Sequence, residues 1–93
     1  MSIGPHQVPR LARGIKLRFD EIRESWIVLA PERIMVPDET ALSVLQLVDG
    51  MRDFAAIIAE LAKKFDAPAE EITEDVKELL NDLRARGAVI WSE

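Results

Sequence analysis

The sequence contains no cysteine and a single histidine, and both shortages narrow the chemistry that the chain can carry. Without cysteine, disulfides, thiolate metal sites, iron–sulfur clusters and cysteine nucleophiles are excluded. His6 has no second ligand residue or acid–base partner at motif spacing, and no serine has a credible histidine partner. A glycine-rich phosphate loop is also missing. We therefore expect a protein that is not an enzyme and that needs no cofactor or metal.

Long apolar runs are missing as well. No run approaches the ~20 residues that span a bilayer, and the N-terminus lacks the apolar core of a signal peptide. These absences predict a soluble, cytoplasmic protein with no membrane partner. The 93 residues are 48% hydrophobic, which suits one domain with a single core.

Charge is unevenly distributed along the chain, whose formal net charge is −5. Residues 1–36 carry six Lys or Arg against four Asp or Glu, whereas residues 37–93 carry six against thirteen. Phosphates would repel the acidic second part, so we expect no nucleic-acid partner.

The first fourteen residues differ in composition from the rest. Residues 1–14 contain two glycines and two prolines among scattered apolar residues. This composition predicts a flexible tail with at most local contacts, followed by one domain over residues 15–93.

Three strands are predicted at the start of that domain. Residues 15–20 alternate apolar and polar side chains, which is typical of a half-buried strand. Residues 25–30 are apolar on both faces and indicate a central strand. Pro31 suits the turn that follows, and residues 33–36 form the third strand, which Pro37 stops. The short connections favour an antiparallel meander.

Three helices are predicted after the strands. Asp38 suits the N-cap of the first helix, with Gly50 at its end, and Asp53 suits the N-cap of the second. The third helix runs from about residue 69 to residue 86. The fold class is therefore α+β and winged-helix-like, with an N-terminal three-stranded antiparallel sheet followed by a three-helix bundle. Residues 88–91 either add an extended segment or pack on the core.

The third helix has two different flanks at ~100° per residue. Its predicted core-facing residues are Ile72, Val76, Leu79 and Leu83. Leu80 falls at one margin, with Lys77 and Arg84 further round, whereas the opposite margin holds Asp75, Asp82 and Arg86. The two cations are either solvated surface charges or part of a site for an acidic peptide.

The third strand is the last of its sheet, so one side of its backbone lacks a partner. An unpaired row of N–H and C=O groups can accept an added peptide strand. The same edge can also pair with a second copy, so we expect a monomer or a weak, strand-swapped homodimer.

The sequence resembles the PqqD family of pyrroloquinoline quinone (PQQ) biosynthesis from Arg13 onward. The residues that carry the resemblance are Arg18, Phe19 and Asp20; Leu29, Ala30, Pro31, Glu32 and Arg33; Pro37, Asp38, Ala41, Leu45, Asp49 and Gly50; and Asp75, Val76, Leu83 and Gly87. The most specific of these are the turn at residues 29–33 and the Asp49–Gly50 pair.

The resemblance implies a non-catalytic peptide chaperone of the kind called a RiPP recognition element. Such a protein binds the precursor peptide PqqA and presents it to the radical SAM enzyme PqqE. In related elements the leader peptide adds to the third strand and lies against the third helix. Carried onto this sequence, the peptide-binding residues are Arg33, Ile34, Met35 and Val36 on the strand, with Val76, Lys77, Leu80 and Arg84 on the helix.

Two other functions are consistent with the predicted fold. One is a small acidic winged-helix regulatory domain associated with DNA, although its recognition helix would carry six acidic residues into a groove lined by phosphates. The other is an inert fragment that works only when fused to an enzyme. A salt titration separates peptide binding from DNA binding, because DNA binding is steeply salt-dependent.

Overall fold

The computed structural model describes residues 3–92, which form five strands and three helices. In chain order these are β1 (Arg10–Leu11), β2 (Lys16–Asp20), β3 (Ser25–Ala30), β4 (Arg33–Met35), α1 (Glu39–Leu45), α2 (Phe54–Phe65), α3 (Ala69–Ala85) and β5 (Val89–Ile90). The three strands predicted from the sequence are β2, β3 and β4.

The main sheet has the predicted antiparallel order β2–β3–β4. Val28 in the centre pairs with Leu17 on one side and Met35 on the other. These three side chains share one face, and that face packs on the core. The short turns dictate this arrangement, because two- to four-residue connections allow only antiparallel neighbours. The α+β prediction is confirmed.

The helices cover that face of the sheet and form most of the core with it. One stripe of α2 is buried at Phe54, Ile57, Ile58 and Leu61, whereas Phe65 at the end of the helix is 48% exposed. The side chain of Asp53 caps this helix by accepting a hydrogen bond from Ala56 N at 2.8 Å. Asp38 caps α1 in the same way through Ala41 N. Each cap satisfies a backbone donor that the first turn leaves unpaired.

The prediction for the end of α1 needs correction. The helix ends at Leu45 rather than next to Gly50. Tight turns follow, in which Leu47 N donates to Val44 O at 3.0 Å and Val48 N donates to Leu45 O at 3.1 Å. These turns keep Val48 in the core, at 5% exposure. Gly50 does adopt a left-handed conformation, with a φ of 77°, but in the loop beyond them.

The N-terminal segment differs from the predicted tail. Ile3 and Pro9 are fully buried, and β1 pairs with β5 through Arg10 and Ile90. Gln7 Nε2 also donates to the carbonyl of Ser92 at 2.7 Å. These contacts join the two ends of the chain, and a two-residue strand carries no periodicity that could predict them. Met1 and Ser2 of the predicted tail, like Glu93, lie outside the described residues.

Residues 88–91 both add an extended segment and pack on the core, so both predicted alternatives are observed. Val89 in β5 pairs with Leu11 of β1 and is fully buried, and Trp91 is 6% exposed. Within residues 3–92, no helix has the length and apolar character required to cross a bilayer.

Candidate functional site

β4 lies at the edge of the main sheet, and among residues 3–92 its one strand neighbour is β3. In an antiparallel ladder every second residue directs its N–H and C=O away from the paired neighbour. β4 therefore presents backbone donors and acceptors on its open side. β2 forms the other edge of the same sheet, so the surroundings of each edge decide which one suits a ligand.

A groove of ≈450 Å³ lies beside β4, between that strand, the start of α1 and the C-terminal half of α3. We call it the β4 groove. Most of its lining residues are apolar, and the three charged ones, Asp38, Asp82 and Arg86, are exposed at the rim. The lining residues are Val28, Met35, Val36, Pro37, Asp38, Ala41, Leu45, Leu79, Asp82, Leu83 and Arg86.

The local sequence explains how these side chains meet. Met35 is the cross-strand partner of Val28, so their side chains lie together on the core face of the sheet. Pro37 lacks an N–H for the ladder and stops the strand. Asp38 then starts α1, which brings Ala41 and Leu45 beside the end of β4.

The α3 side of the groove follows the helical repeat. Leu79, Asp82, Leu83 and Arg86 are spaced at i, i+3, i+4 and i+7, which places them on one stripe of the helix. Leu83 is 7% exposed and forms part of the core, whereas Leu79 is partly buried and packs at its margin. The stripe therefore offers apolar surface that a ligand could cover.

The charged groups at the rim contact one another. Arg86 Nε lies 3.0 Å from Asp82 Oδ2, and both side chains are more than half exposed. Arg33 Nη2 donates to the backbone carbonyl of Arg86 at 3.0 Å, which connects the start of β4 to the end of α3. Exposed ion pairs add little stability. We therefore infer that these contacts position the rim side chains, and the start of β4 relative to the end of α3, rather than stabilise the fold.

The structure brings together the predicted site residues on the strand. Met35 lies in the groove, and Val36 lines it just beyond the end of β4, with 62% exposure. Arg33 donates a hydrogen bond to the carbonyl of Arg86, which places it at the end of the groove next to the C-terminus of α3. Ile34 shares the open backbone edge, but its side chain points to the opposite face and is 49% exposed.

The structure does not bring the predicted α3 residues to β4. Leu80 was expected at a margin of the helix, but it is fully buried, and Val76 is 3% exposed. Arg84 lies over the ring of Trp91, 4.4 Å from its centroid. Lys77 does not line the groove. The stripe that does line it is on the other flank of α3.

The reason is the chain that follows α3. Residues 88–91 return along the flank that carries Arg84, whose guanidinium lies over the ring of Trp91. Ala88, Val89 and Trp91 belong to the same core cluster as Leu80. Periodicity defines the two flanks of a helix but does not tell which one faces β4. The apolar residues 88–91 are a signal in the sequence, because such a segment must pack against one flank of α3 and leave the other flank to face β4.

The titratable side chains that line the groove are Asp38, Asp82 and Arg86. Among the described residues that line it there is no histidine or serine. Within residues 3–92, no three His, Asp or Glu side chains come together in a way that could hold a metal ion. What the arrangement offers chemically is backbone hydrogen bonding beside an apolar surface.

Residues 25–89 match the family model described as coenzyme PQQ synthesis protein D (PqqD). Among curated relatives, a PqqA binding protein from Rhodopseudomonas palustris (strain HaA2) is 48% identical over 87 residues, covering 94% of this chain and 85% of the relative. A PqqA binding protein from Rhizobium meliloti (strain 1021) is 44% identical over 84 residues, covering 90% and 86%.

Two solved structures are also similar. One is the solution NMR structure of the PqqD truncation of Methylobacterium extorquens PqqCD, described as a functional and stand-alone RiPP recognition element. It is 40% identical, with a TM-score of 0.74 over 89% of this chain and 88% of the other. The other is the crystal structure of PqqD from Xanthomonas campestris, 43% identical, with a TM-score of 0.55 over 80% and 82%.

Proposed function

This chain belongs to the PqqD family, and on that premise we propose that it is a non-catalytic chaperone that binds the precursor peptide PqqA in the β4 groove. We further propose that it presents the bound peptide to the radical SAM enzyme PqqE in the cytoplasm. The observation that carries the proposal is the open edge of β4 beside an apolar groove.

PqqA binds by adding a strand to the open side of β4. Its backbone pairs with the N–H and C=O groups that residues 33–36 direct away from β3. Because side chains alternate along a strand, half of those on the peptide enter the groove and contact Met35, Leu79 and Leu83. The α3 residues of the site are thus Leu79, Asp82, Leu83 and Arg86, in place of the four predicted from the sequence.

Strand addition alone is too weak to hold the peptide. Ordering each peptide residue costs about 1–2 kcal/mol, whereas each hydrogen bond returns only about 0.5–1.5 kcal/mol net. Burial of two or three apolar peptide side chains, at about 1.5–3 kcal/mol each, supplies the difference. Both sides of the groove are therefore needed for micromolar binding, which corresponds to about −8 kcal/mol.

The charges at the rim select which peptide binds and in which register. Arg33 and Arg86 lie at one end of the groove, and both also line an adjoining cavity of ≈400 Å³, whose other charged residues are Arg13 and Glu32. Charged rims affect specificity and association rate more than affinity. A peptide with an acidic residue at that end is therefore favoured over one with a basic residue.

Titration of fluorescently labelled PqqA tests the peptide-binding proposal. We expect saturable binding in the micromolar range, with no binding of a scrambled PqqA and no binding of duplex DNA. Saturable, steeply salt-dependent DNA binding without PqqA binding would support the alternative function, a small acidic winged-helix regulatory domain.

Crosslinking of PqqA by PqqE tests presentation and the absence of catalysis. Mass spectrometry should show modified PqqA when PqqE and this chain are both present, and unmodified PqqA with this chain alone. Equal modification by PqqE without the chain would contradict presentation.

The open β4 edge also allows two copies to pair. We propose a monomer, or a weak, strand-swapped homodimer that peptide binding dissociates. Light scattering with and without PqqA distinguishes these states, because a stable dimer that binds PqqA unchanged would require another interface.

A further inference from the structure

The helices cover only one face of the main sheet. Alternation along the strands places Ile27, Leu29 and Ile34 on the other face, because Val28 and Met35 point to the core. Leu29 and Ile34 are cross-strand partners. Ile34 is 49% exposed, and Ile27 is only 6% exposed although it lies outside the core cluster. These three residues form an apolar stripe, of which Ile34 is exposed and Leu29 partly exposed.

Two cations on β2 border the stripe. Lys16 pairs across the ladder with Leu29, and Arg18 pairs with Ile27. The aliphatic stem of an arginine can cover an apolar neighbour while its charge stays in water, and Arg18 is the cross-strand neighbour of the buried Ile27. Asp20 also lies on this face, but its carboxylate accepts from Ile22 N and contacts Arg23 in the turn. We call the region formed by Lys16, Arg18, Ile27, Leu29 and Ile34 the outer sheet face.

The outer sheet face is continuous with the edge of β4. Ile34 and Met35 are adjacent in the strand, and their side chains point to opposite faces. A peptide strand added to β4 alternates in the same way, so the side chains that do not enter the groove lie beside Ile34. Peptide binding thus enlarges the outer sheet face by one strand.

We propose that the outer sheet face, extended by the bound peptide, docks the enzyme that modifies the peptide, through an enzyme surface with an apolar centre and an acidic rim. This proposal rests on the proposed function, because it requires that the peptide be bound to β4. The acidic rim follows from Lys16 and Arg18, which are exposed and border the stripe.

The charges disfavour a second copy of this chain as the occupant. A two-fold interface places the same patch on both partners, so Lys16 and Arg18 would face the cations of the other copy across a small apolar stripe. An acidic rim on a different protein has no such repulsion.

The proposal implies coupled binding. Because the enzyme contacts the chain and the peptide together, PqqA should raise the affinity of the enzyme for the chain. By linkage, the enzyme should raise the affinity for PqqA by the same factor.

Charge reversal on β2 tests the proposal, with PqqE as the probe. Arg18→Glu should weaken the binding of PqqE to the PqqA-loaded chain about tenfold or more. Affinity for PqqA alone should stay within about twofold, since Arg18 lies on the face of the sheet opposite to the groove. Lys63→Glu is the matched control, because it makes the same charge change on an exposed residue of α2. If Arg18→Glu does not fold, as judged by thermal unfolding, Lys16→Glu takes its place.

Equal effects of the two reversals on PqqE binding would overturn the proposal, as would a PqqE affinity that PqqA leaves unchanged. A loss of PqqA affinity in Arg18→Glu would also overturn it. If the wild-type chain binds no PqqA, the proposed function itself fails, and the measurement with PqqA alone identifies that outcome.

Discussion

Arg33 donates a hydrogen bond from Nη2 to the backbone carbonyl of Arg86, 3.0 Å away, and so joins the first residue of β4 to the residue that caps α3. The last carbonyls of a helix have no partner within it. Here one of them accepts from the strand on the opposite side of the β4 groove. The contact therefore fixes the distance between the two surfaces that hold the peptide.

Arg33→Ala should lower the affinity for PqqA about three- to tenfold, because the two sides of the groove lose this connection. The free energy of unfolding should fall by no more than about 1 kcal/mol, since the contact is exposed. Calorimetric titration and urea unfolding measure the two effects. Arg23→Ala is the control, because it removes an arginine from the turn between β2 and β3, where Arg23 contacts Asp20 at 3.5 Å. Equal loss of affinity in both variants would contradict the role of Arg33.

Leu79 and Leu80 are adjacent in α3 but should respond oppositely to the same substitution. Leu79→Asp should abolish PqqA binding while the protein stays folded, because this side chain lines the groove. Leu80→Asp should unfold the protein, because Leu80 is fully buried and a buried charge with a lost apolar side chain costs roughly 4 kcal/mol or more. Circular dichroism and peptide titration separate the two. A folded Leu80→Asp variant that has lost only PqqA binding would restore the site predicted from the sequence.

These two leucines also show what the sequence could and could not predict. The meander and the helix caps at Asp38 and Asp53 follow from local patterns, and both are observed. Local sequence does not determine which element packs against each flank of α3. Which flank of α3 faces β4 depends on where residues 88–91 return. Leu80 is fully buried, whereas Leu79 lines the groove.

The N-terminal segment is a second region whose packing local sequence patterns did not predict. Its glycines and prolines predicted a tail, because such residues are typical of loops. Ile3 is buried in a core cluster whose other members are distant in sequence, and β1 pairs with β5. Single apolar residues carry no pattern that predicts such burial. On the strand side of the site, in contrast, the open edge of β4 followed directly from strand order.

Ile3→Ala should destabilise the protein by about 2–4 kcal/mol, because Ile3 is 1% exposed within the core cluster. Val8→Ala, at a partly buried position of the same segment, should cost less than about 1.5 kcal/mol. Urea unfolding of both variants compares these costs. No difference between Ile3→Ala and wild type would mean that the segment is the tail that its composition predicted.

Asp49 should contribute to stability in a pH-dependent way. Hydrogen bonds from the backbone N–H groups of Arg52 and Met51 lower the pKa of Asp49 below its ordinary value of 3.8. Because the folded state has the lower pKa, the contribution is complete above 3.8 and is lost as the pH falls through the folded-state pKa. Asp49→Asn should therefore be less stable than wild type near neutral pH, and the difference should shrink at acidic pH. A carboxyl titration by NMR that gives Asp49 a pKa above 3.8 would contradict this assignment.

Amide hydrogen exchange with and without PqqA tests the central claim most directly. Addition of PqqA should slow exchange at the amides of residues 33–36 that point away from β3, and it should shift the methyl resonances of Leu79 and Leu83. The amides of β2, at the other edge of the sheet, should not change. Protection at β2 instead, or PqqA binding that leaves β4 unprotected, would contradict strand addition in the β4 groove.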